Sequence, residues 1–213
     1  MVHKVTGEPA WIPLATYANK MGYVAGTNAG LGGRAAEFPP VAGASVTKFR
    51  DMYVGSVGLT EADAARRGMA VAAYVVRALD RAKYVREVRE MAVKALVSGG
   101  RLIGMQIVGF SSAVGAYVDL AAQFIGEPAE RLFYAEYSYM PFTAPVWHPF
   151  VIVGRLWLRN YYRPNGSAAL QGPHLPCPRT SSRRRGRPSA LRSTAGHVRR
   201  LRLRPRGPET PRG

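Results

Sequence analysis

The amino-acid sequence predicts an α+β fold, an antiparallel β-sheet flanked by helices, followed by a disordered basic C-terminal tail. Three observations support this prediction. Strand-like segments follow one another between residues 44 and 108, helical patterns lie before and after them, and the composition changes abruptly at residue 164. Strands grouped in sequence with helices at the ends are typical of an antiparallel sheet covered by helices.

The first helix is predicted at residues 14–25. Pro13 stands where the first turn of a helix tolerates proline, and the small and medium side chains that follow are spaced for one buried face. Gly26, together with Ala29-Gly30, is expected to end this helix.

Five strands are predicted from segments rich in β-branched and aromatic residues, at 44–49, 53–59, 69–77, 88–97 and 101–108. The first two surround Arg50-Asp51. The last two flank Ser98-Gly99-Gly100, which is the clearest hairpin turn in the sequence.

Three further helices complete the predicted domain. Thr60 and Asp63 form a capping signal for a short helix that Gly68 ends. A second helix ends at Gly126, and its core-facing residues recur at helical spacing: Val114, Val118, Ala121, Ala122 and Ile125. The last helix is predicted at 149–158, starting at a proline.

The formal net charge of +17 is concentrated in the tail. Residues 164–213 carry twelve arginines, no lysine and one acid, Glu209, with eight of the sixteen prolines and no aromatic residue. Such a segment cannot bury enough apolar surface to fold. Two interpretations of the tail stay open: translation of GC-rich DNA out of frame, or a nucleic-acid-binding tail whose arginines contact phosphates.

The chain has one cysteine, Cys177, which excludes an intrachain disulfide and a thiolate metal cluster and fits a reducing cytoplasm. The N-terminal region lacks the pattern of a signal peptide. The apolar run at 150–158 is too short to span a bilayer and contains Arg155. We therefore expect a cytoplasmic protein without a resident metal.

Several segments together carry a family resemblance. In order, they are GEPAWIPLATYANKMGYVAGTNAG, GASVTKF, VGLTEADA, RLIGMQIVG and YMPFTAPVWHP. Their order and spacing over residues 5–159 resemble the C-terminal third of the pyridine nucleotide-disulfide oxidoreductases. Within that family, the sequence is most similar to the coenzyme A-disulfide reductase and NADH oxidase branch.

The resemblance implies an FAD site and NAD(P)H as co-substrate. In this family, the helix that matches 14–25 directs its N-terminal backbone N–H groups at the pyrimidine edge of the flavin. Pro13, Leu14 and Ala15 are then the cofactor-binding residues. Unpaired donors and the positive end of the helix dipole suit this electron-rich edge. Without the resemblance, the same helix would be interpreted as an ordinary packed helix.

The resemblance also implies a homodimer. It divides the chain into a remnant of the FAD-binding domain (1–42), a dimerisation domain (43–160) and the disordered tail (161–213). In the disulfide-reductase branch, a tyrosine in the loop before the last helix approaches the redox cysteine of the partner subunit. Tyr139, or Tyr137 if the register slips, is the corresponding catalytic candidate, and simple packing of either ring is the alternative.

His148-Pro149 is similar to the acid-base pair of glutathione-reductase relatives, in which a glutamate five residues later orients the imidazole. Val153 occupies that position here, so His148 is not assigned a catalytic role. Cys177 lies outside the matching region and is not equated with the family's redox cysteine.

No G-x-G-x-x-G motif occurs, so the two dinucleotide-binding folds of the family are not expected in this chain, which we interpret as a fragment. Three hypotheses follow. The chain derives from an FAD- and NAD(P)H-dependent oxidoreductase and is inactive alone, or it is a stand-alone dimerisation module, or it binds nucleic acid through its tail.

Overall fold

The computed structural model describes residues 1–162. Five strands and five helices follow one another in this region: α1 (Ala15–Gly30), β1 (Ser45–Phe49), β2 (Met52–Gly58), α2 (Glu61–Arg66), β3 (Ala72–Leu79), β4 (Glu90–Ser98), β5 (Arg101–Gly109), α3 (Ala113–Phe124), α4 (Arg131–Tyr134) and α5 (Pro149–Tyr161). The predicted α+β class is confirmed. No helix among these residues is long and apolar enough to cross a membrane.

The five strands form one antiparallel sheet in the order β1-β2-β5-β4-β3. The predicted hairpin joins β4 to β5, and both of its turn glycines have positive φ, 55° at Gly99 and 77° at Gly100. Glycine adopts this backbone without a steric penalty, which explains the double glycine. The pairing of β4 with β5 shifts register between Leu96 and Val97.

One face of the sheet packs against α3 and α5 to form the main core. The central strands contribute alternate residues of β4, including Val93 and Ala95, and the helices contribute Val118 and Phe150. These four side chains are fully or almost fully buried. On the other face, α2 covers a smaller cluster of Leu59, Ala64, Leu96 and Ile103.

Local sequence signals account for two helix starts. Thr60 and Asp63 make the predicted capping box of α2, in which each side chain accepts from the other residue's backbone N–H. At α5, Pro149 occupies the first turn and His148 is the N-cap residue. Proline is favoured there because a backbone N–H in the first turn has no acceptor within the helix. The absence of this N–H in proline therefore costs no hydrogen bond.

Several elements differ from the prediction. Helix α5 continues past residue 158 to Tyr161, so the first position of the predicted disordered tail is helical. Helix α1 runs through Gly26 and ends at Gly30, so only the Ala29-Gly30 pair marks its end. Strand β3 begins at Ala72, whereas it was predicted from residue 69. The short helix α4 was not predicted. The predicted disordered tail lies outside the described residues apart from its first two positions, and the domain limits 1–42, 43–160 and 161–213 stay predictions.

Candidate functional site

The N-terminus of α1 presents unpaired backbone donors. Leu14 is the N-cap in an extended conformation, without a side-chain cap, and no acidic residue lies in the first turn. Among the described residues, no acceptor is found for the N–H groups of Ala15 and Thr16. Pro13 and Ala15 are exposed and Leu14 is half-buried. This helix start can therefore donate two hydrogen bonds to an electron-rich group.

Few contacts hold α1 in place. The Tyr17 hydroxyl accepts from the Ala44 N–H at 2.9 Å, and the Asn28 side chain bonds the backbone of Ala35 and Ala36. No residue of α1 is buried within the described part of the chain. The Tyr17 contact thus joins the first turn of α1 to the segment before β1, and the Asn28 contacts join its last turn to the segment directly after it, while no side chain of the helix is buried.

The two candidate tyrosines lie in one loop but have different surroundings. Tyr137 is half-buried, donates its hydroxyl hydrogen to the Leu132 carbonyl oxygen at 3.0 Å and stacks on His148 with ring centroids 4.2 Å apart. Burial raises the pKa of the Tyr137 phenol. Tyr137 therefore packs the base of the loop, and its hydroxyl is already engaged.

Tyr139 is the accessible member of the pair, with 49% of its surface exposed. A hydrogen bond to the Tyr84 side chain is the main reason that the pKa of Tyr139 is raised. The Ala82 N–H also donates to the Pro141 carbonyl oxygen at 2.9 Å. The tip of this loop is thus fastened to the β3–β4 connection, and the Tyr139 phenol lies at the surface.

His148 is buried, and one of its ring nitrogens makes a hydrogen bond to the backbone of α5. Its Nδ1 accepts from the Phe150 N–H at 3.2 Å, which caps α5. Burial lowers the pKa of His148 to about 4. Val153, five residues after His148, is fully buried in the core. These contacts give His148 a structural role at the start of α5.

Tyr117 of α3 was missed by the sequence analysis. Its ring stacks on the other side of His148 with centroids 4.9 Å apart, and its buried hydroxyl has no hydrogen-bond partner among the described residues. The three rings form a layered stack, Tyr117–His148–Tyr137, which we call the ring stack. Because Tyr117 is far from the other two in sequence, no local spacing signals this contact.

Asp80 is a second feature without a sequence signal. It is 1% exposed, accepts from the Arg89 N–H at 2.8 Å and pairs with the Arg81 guanidinium at 3.0 Å. Burial alone would raise the pKa of Asp80, but the hydrogen bonds from Arg89, Arg81 and Ser111 hold it below its usual range. Asp80 thereby fixes the connection from β3 to β4, against which the Tyr139 loop lies.

The structure does not join the two predicted sites. No hydrogen bond, ion pair or ring contact within residues 1–162 links Pro13, Leu14 or Ala15 to the loop of Tyr139. In the same region, no three His, Cys, Asp or Glu side chains converge on a possible metal position. Cys177 lies outside the described residues.

Comparison with known proteins assigns the sheet domain. Residues 44–147 match the model of the pyridine nucleotide-disulphide oxidoreductase dimerisation domain. The NAD(P)H sulfur oxidoreductase (CoA-dependent) of Pyrococcus furiosus is 39% identical over 158 residues, covering 72% of this chain and 35% of the relative. An NADH oxidase of Methanocaldococcus jannaschii is 33% identical over 148 residues, covering 68% and 32%.

Solved structures are also similar to this chain. An NAD-dependent persulfide reductase from A. fulgidus superposes with a TM-score of 0.70 at 27% identity, over 75% of this chain and 30% of that one. A reduced CoADR-RHD from Bacillus anthracis gives a TM-score of 0.67 at 25% identity, over 73% and 28%.

This chain spans about a third of the length of the curated relatives that it matches. The matched segment contains β1 to α4, the sheet with most of its covering helices and the loop that carries Tyr137 and Tyr139. Residues 44–147 are therefore a dimerisation domain of the pyridine nucleotide-disulphide oxidoreductase type.

Proposed function

We propose that this chain supplies the subunit interface and one wall of the flavin site in an FAD- and NAD(P)H-dependent oxidoreductase that reduces a sulfur compound. The observation that carries the proposal is the dimerisation domain at residues 44–147, together with 39% identity to two Pyrococcus enzymes named for sulfur and for coenzyme A polysulfide or persulfide. Because another relative, at 33% identity, is named NADH oxidase, oxygen is the second electron acceptor to test.

A homodimer is the proposed assembly. Large apolar side chains are exposed at several places on the described surface, including Trp11 at 90%, Phe49 at 66% and Phe142 at 65%. Because the domain is named for dimerisation, a second copy of the same chain is the partner of choice.

Pro13, Leu14 and Ala15 form the proposed flavin contact. The N–H groups of Ala15 and Thr16 lack acceptors in the described part of the chain, and both residues are exposed. They would donate to the pyrimidine edge of FAD, and the positive end of the α1 dipole would favour negative charge there. Bound FAD would supply the redox chemistry, with NAD(P)H as the electron source. We assign no residue of this chain to the nicotinamide.

Tyr139 is the proposed catalytic tyrosine. Its phenol is exposed at the surface, whereas the Tyr137 hydroxyl is bound to the Leu132 carbonyl oxygen. An accessible phenol with a raised pKa stays protonated near neutral pH and can donate a hydrogen bond to a sulfur leaving group. Tyr137 supports the base of the loop.

A chimera tests this proposal. The matching 158-residue segment of the Pyrococcus furiosus relative is replaced by residues of this chain. Bound flavin is measured by visible absorbance, and NAD(P)H oxidation is measured with a polysulfide or with oxygen as the acceptor. We expect a flavin-containing dimer whose activity requires the sulfur compound. A chimera that folds and dimerises without flavin would refute the assignment of α1.

Paired tyrosine variants separate the two candidates. Tyr139→Phe should lower the turnover of the sulfur compound while leaving the reduction of the flavin by NAD(P)H unchanged. Tyr137→Phe keeps the ring and removes only the hydroxyl, so it should lower stability more than turnover. The reverse pattern would exchange the roles of the two residues.

The unaltered 213-residue chain provides the remaining tests. Light scattering after size exclusion should give the mass of a dimer, and a monomer would contradict the proposed assembly. A dimer that neither binds flavin nor supports activity in the chimera would favour the stand-alone dimerisation module. Deletion of 164–213 should leave the dimer intact. Loss of a salt-dependent affinity for DNA or RNA on this deletion would assign nucleic-acid binding to the tail.

A further inference from the structure

We propose that His148 is the latch of the Tyr139 loop: its neutral imidazole holds the two ends of residues 137–148 together, and protonation releases them. The proposal deepens the proposed function, because Tyr139 is the catalytic candidate that the loop carries. The latch itself consists of contacts that exist in this chain without flavin or substrate. His148 is accordingly a positioning residue.

The ring stack closes the loop at its base. Tyr137 stands at the start of the loop and His148 at its end, yet their ring centroids are 4.2 Å apart with an interplanar angle of 12°. Tyr117 from α3 lies against the opposite face of the imidazole at 4.9 Å. Ten residues, 138–147, are thus enclosed between two stacked side chains that rest on the core. Separation of these rings would open the loop.

The same imidazole caps α5. Its Nδ1 accepts from the Phe150 N–H at 3.2 Å, a role for which serine, threonine, aspartate and asparagine are preferred. Histidine differs from these residues because its acceptor nitrogen can take up a proton near physiological pH. Protonated Nδ1 is a donor, so it would face the Phe150 N–H donor and the cap would be lost.

The surroundings of His148 favour the neutral form. The groups that face it are the Tyr117 phenol from α3, the Tyr137 phenol from the loop, and the Phe150 ring and N–H from α5. The buried carboxylate of Asp80 acts on Tyr117 and is itself paired with Arg81. Burial is the cause that lowers the pKa of His148 from 6.5 to about 4.

Two tyrosine faces would attract an imidazolium through cation–π contacts, which opposes release. This attraction does not restore the acceptor that Phe150 requires. His148 is buried and neutral in the closed form and is exposed to solvent in the open form. The open form therefore binds a proton more readily, and it becomes more favourable as the pH falls from 6.5 to about 4. If the open form has an ordinary histidine pKa, its population relative to the closed form rises about twentyfold between about pH 7 and about pH 5.

Hydrogen exchange on the 213-residue chain measures the latch. The Phe150 N–H donates to His148 Nδ1, and the Ala82 N–H donates from the β3–β4 connection to the Pro141 carbonyl oxygen of the loop, so their protection reports the closed state. After correction for the intrinsic pH dependence of exchange, their protection should fall about twentyfold between about pH 7 and about pH 5. Amides of β4 serve as the internal reference for global unfolding.

Three variants make the test specific. His148→Asn keeps an acceptor for the cap but cannot titrate, so loop protection should no longer change over this pH range. His3→Asn removes the other buried histidine of the described region and should leave the response of the loop unchanged. If His148→Asn fails to fold, Tyr137→Leu tests the stack instead, because it should open the loop at neutral pH while leaving the titrating group in place.

The outcomes separate the latch from the proposed function. Loop protection that does not depend on pH in the wild type, or that depends on pH equally in His148→Asn, would overturn the latch. In the chimera, turnover of the sulfur compound should fall below pH 6.5 and become less pH-dependent in His148→Asn. If the loop opens at low pH as expected but Tyr139→Phe does not change the turnover of the chimera, the latch is retained and the role of Tyr139 is refuted.

Discussion

Two glycines in helices provide a matched test of the packing between α4 and α5. Gly154 of α5 is buried, and a Cβ added there would lie 2.5 Å from the Phe133 backbone nitrogen and 2.9 Å from the Leu132 carbonyl carbon. Neither neighbour is a side-chain end that can rotate away. Gly115 of α3 has no atom within 4 Å of the same added Cβ. Both are changed to alanine.

The expected free energies follow from two opposed effects. Alanine favours a helix over glycine by roughly 0.5–1 kcal/mol, so Gly115→Ala should raise the free energy of unfolding by that amount. Overpacking in a close-packed core costs about 1–3 kcal/mol, and contact with backbone places Gly154→Ala near the upper limit. After the helix preference is subtracted, Gly154→Ala should destabilise the protein by about 2 kcal/mol.

Urea unfolding followed by circular dichroism measures both variants, at one protein concentration because an associating protein is stabilised by mass action. The two midpoints should move in opposite directions from the wild type. A Gly154→Ala variant as stable as Gly115→Ala would refute the close approach of α5 to α4. Loss of folding in Gly154→Ala alone would agree with it.

Three further predictions concern stability. Thr60→Ala removes the side-chain acceptor of the α2 capping box and should lower the free energy of unfolding by about 1 kcal/mol in a urea titration. The free energy of unfolding should fall as the pH drops from 6.5 to about 4, since the unfolded state protonates His148 before the native state does. The shift from 6.5 to about 4 corresponds to about 3 kcal/mol, which urea titrations across this range would detect and which His148→Asn should remove. Asp80→Asn should cost about 1.5–3 kcal/mol because it weakens hydrogen bonds to a buried carboxylate, and an unchanged urea midpoint would contradict this role.

Local signals predicted the elements whose causes are local. The double glycine between β4 and β5 fixed a hairpin, and Thr60 with Asp63 fixed the start of α2, because turns and caps depend on residues close in sequence. Gly26 misled the prediction of α1. Glycine weakens a helix interior without having to end it, and at Gly26 the backbone continues as a helix.

The ring stack shows what local patterns leave out. Tyr117 lies on α3, Tyr137 in the following loop and His148 at the start of α5, and only the packing of two helices on one sheet face brings their rings together. The sequence pattern gave no reason to predict a catalytic role for His148, because Val153 occupies the matching position. It did not identify the capping role, since histidine is uncommon at an N-cap.

Helix α1 buries no side chain within the described region, and it contains several glycines. A helix of this length that contains several glycines holds little order in water without a packed face. Its sixteen residues therefore depend on whatever docks against them, and their amides should exchange quickly while those of the central strands remain protected. Exchange along α1 thus indicates whether a ligand or another part of the protein covers this helix, independent of how stable the sheet is.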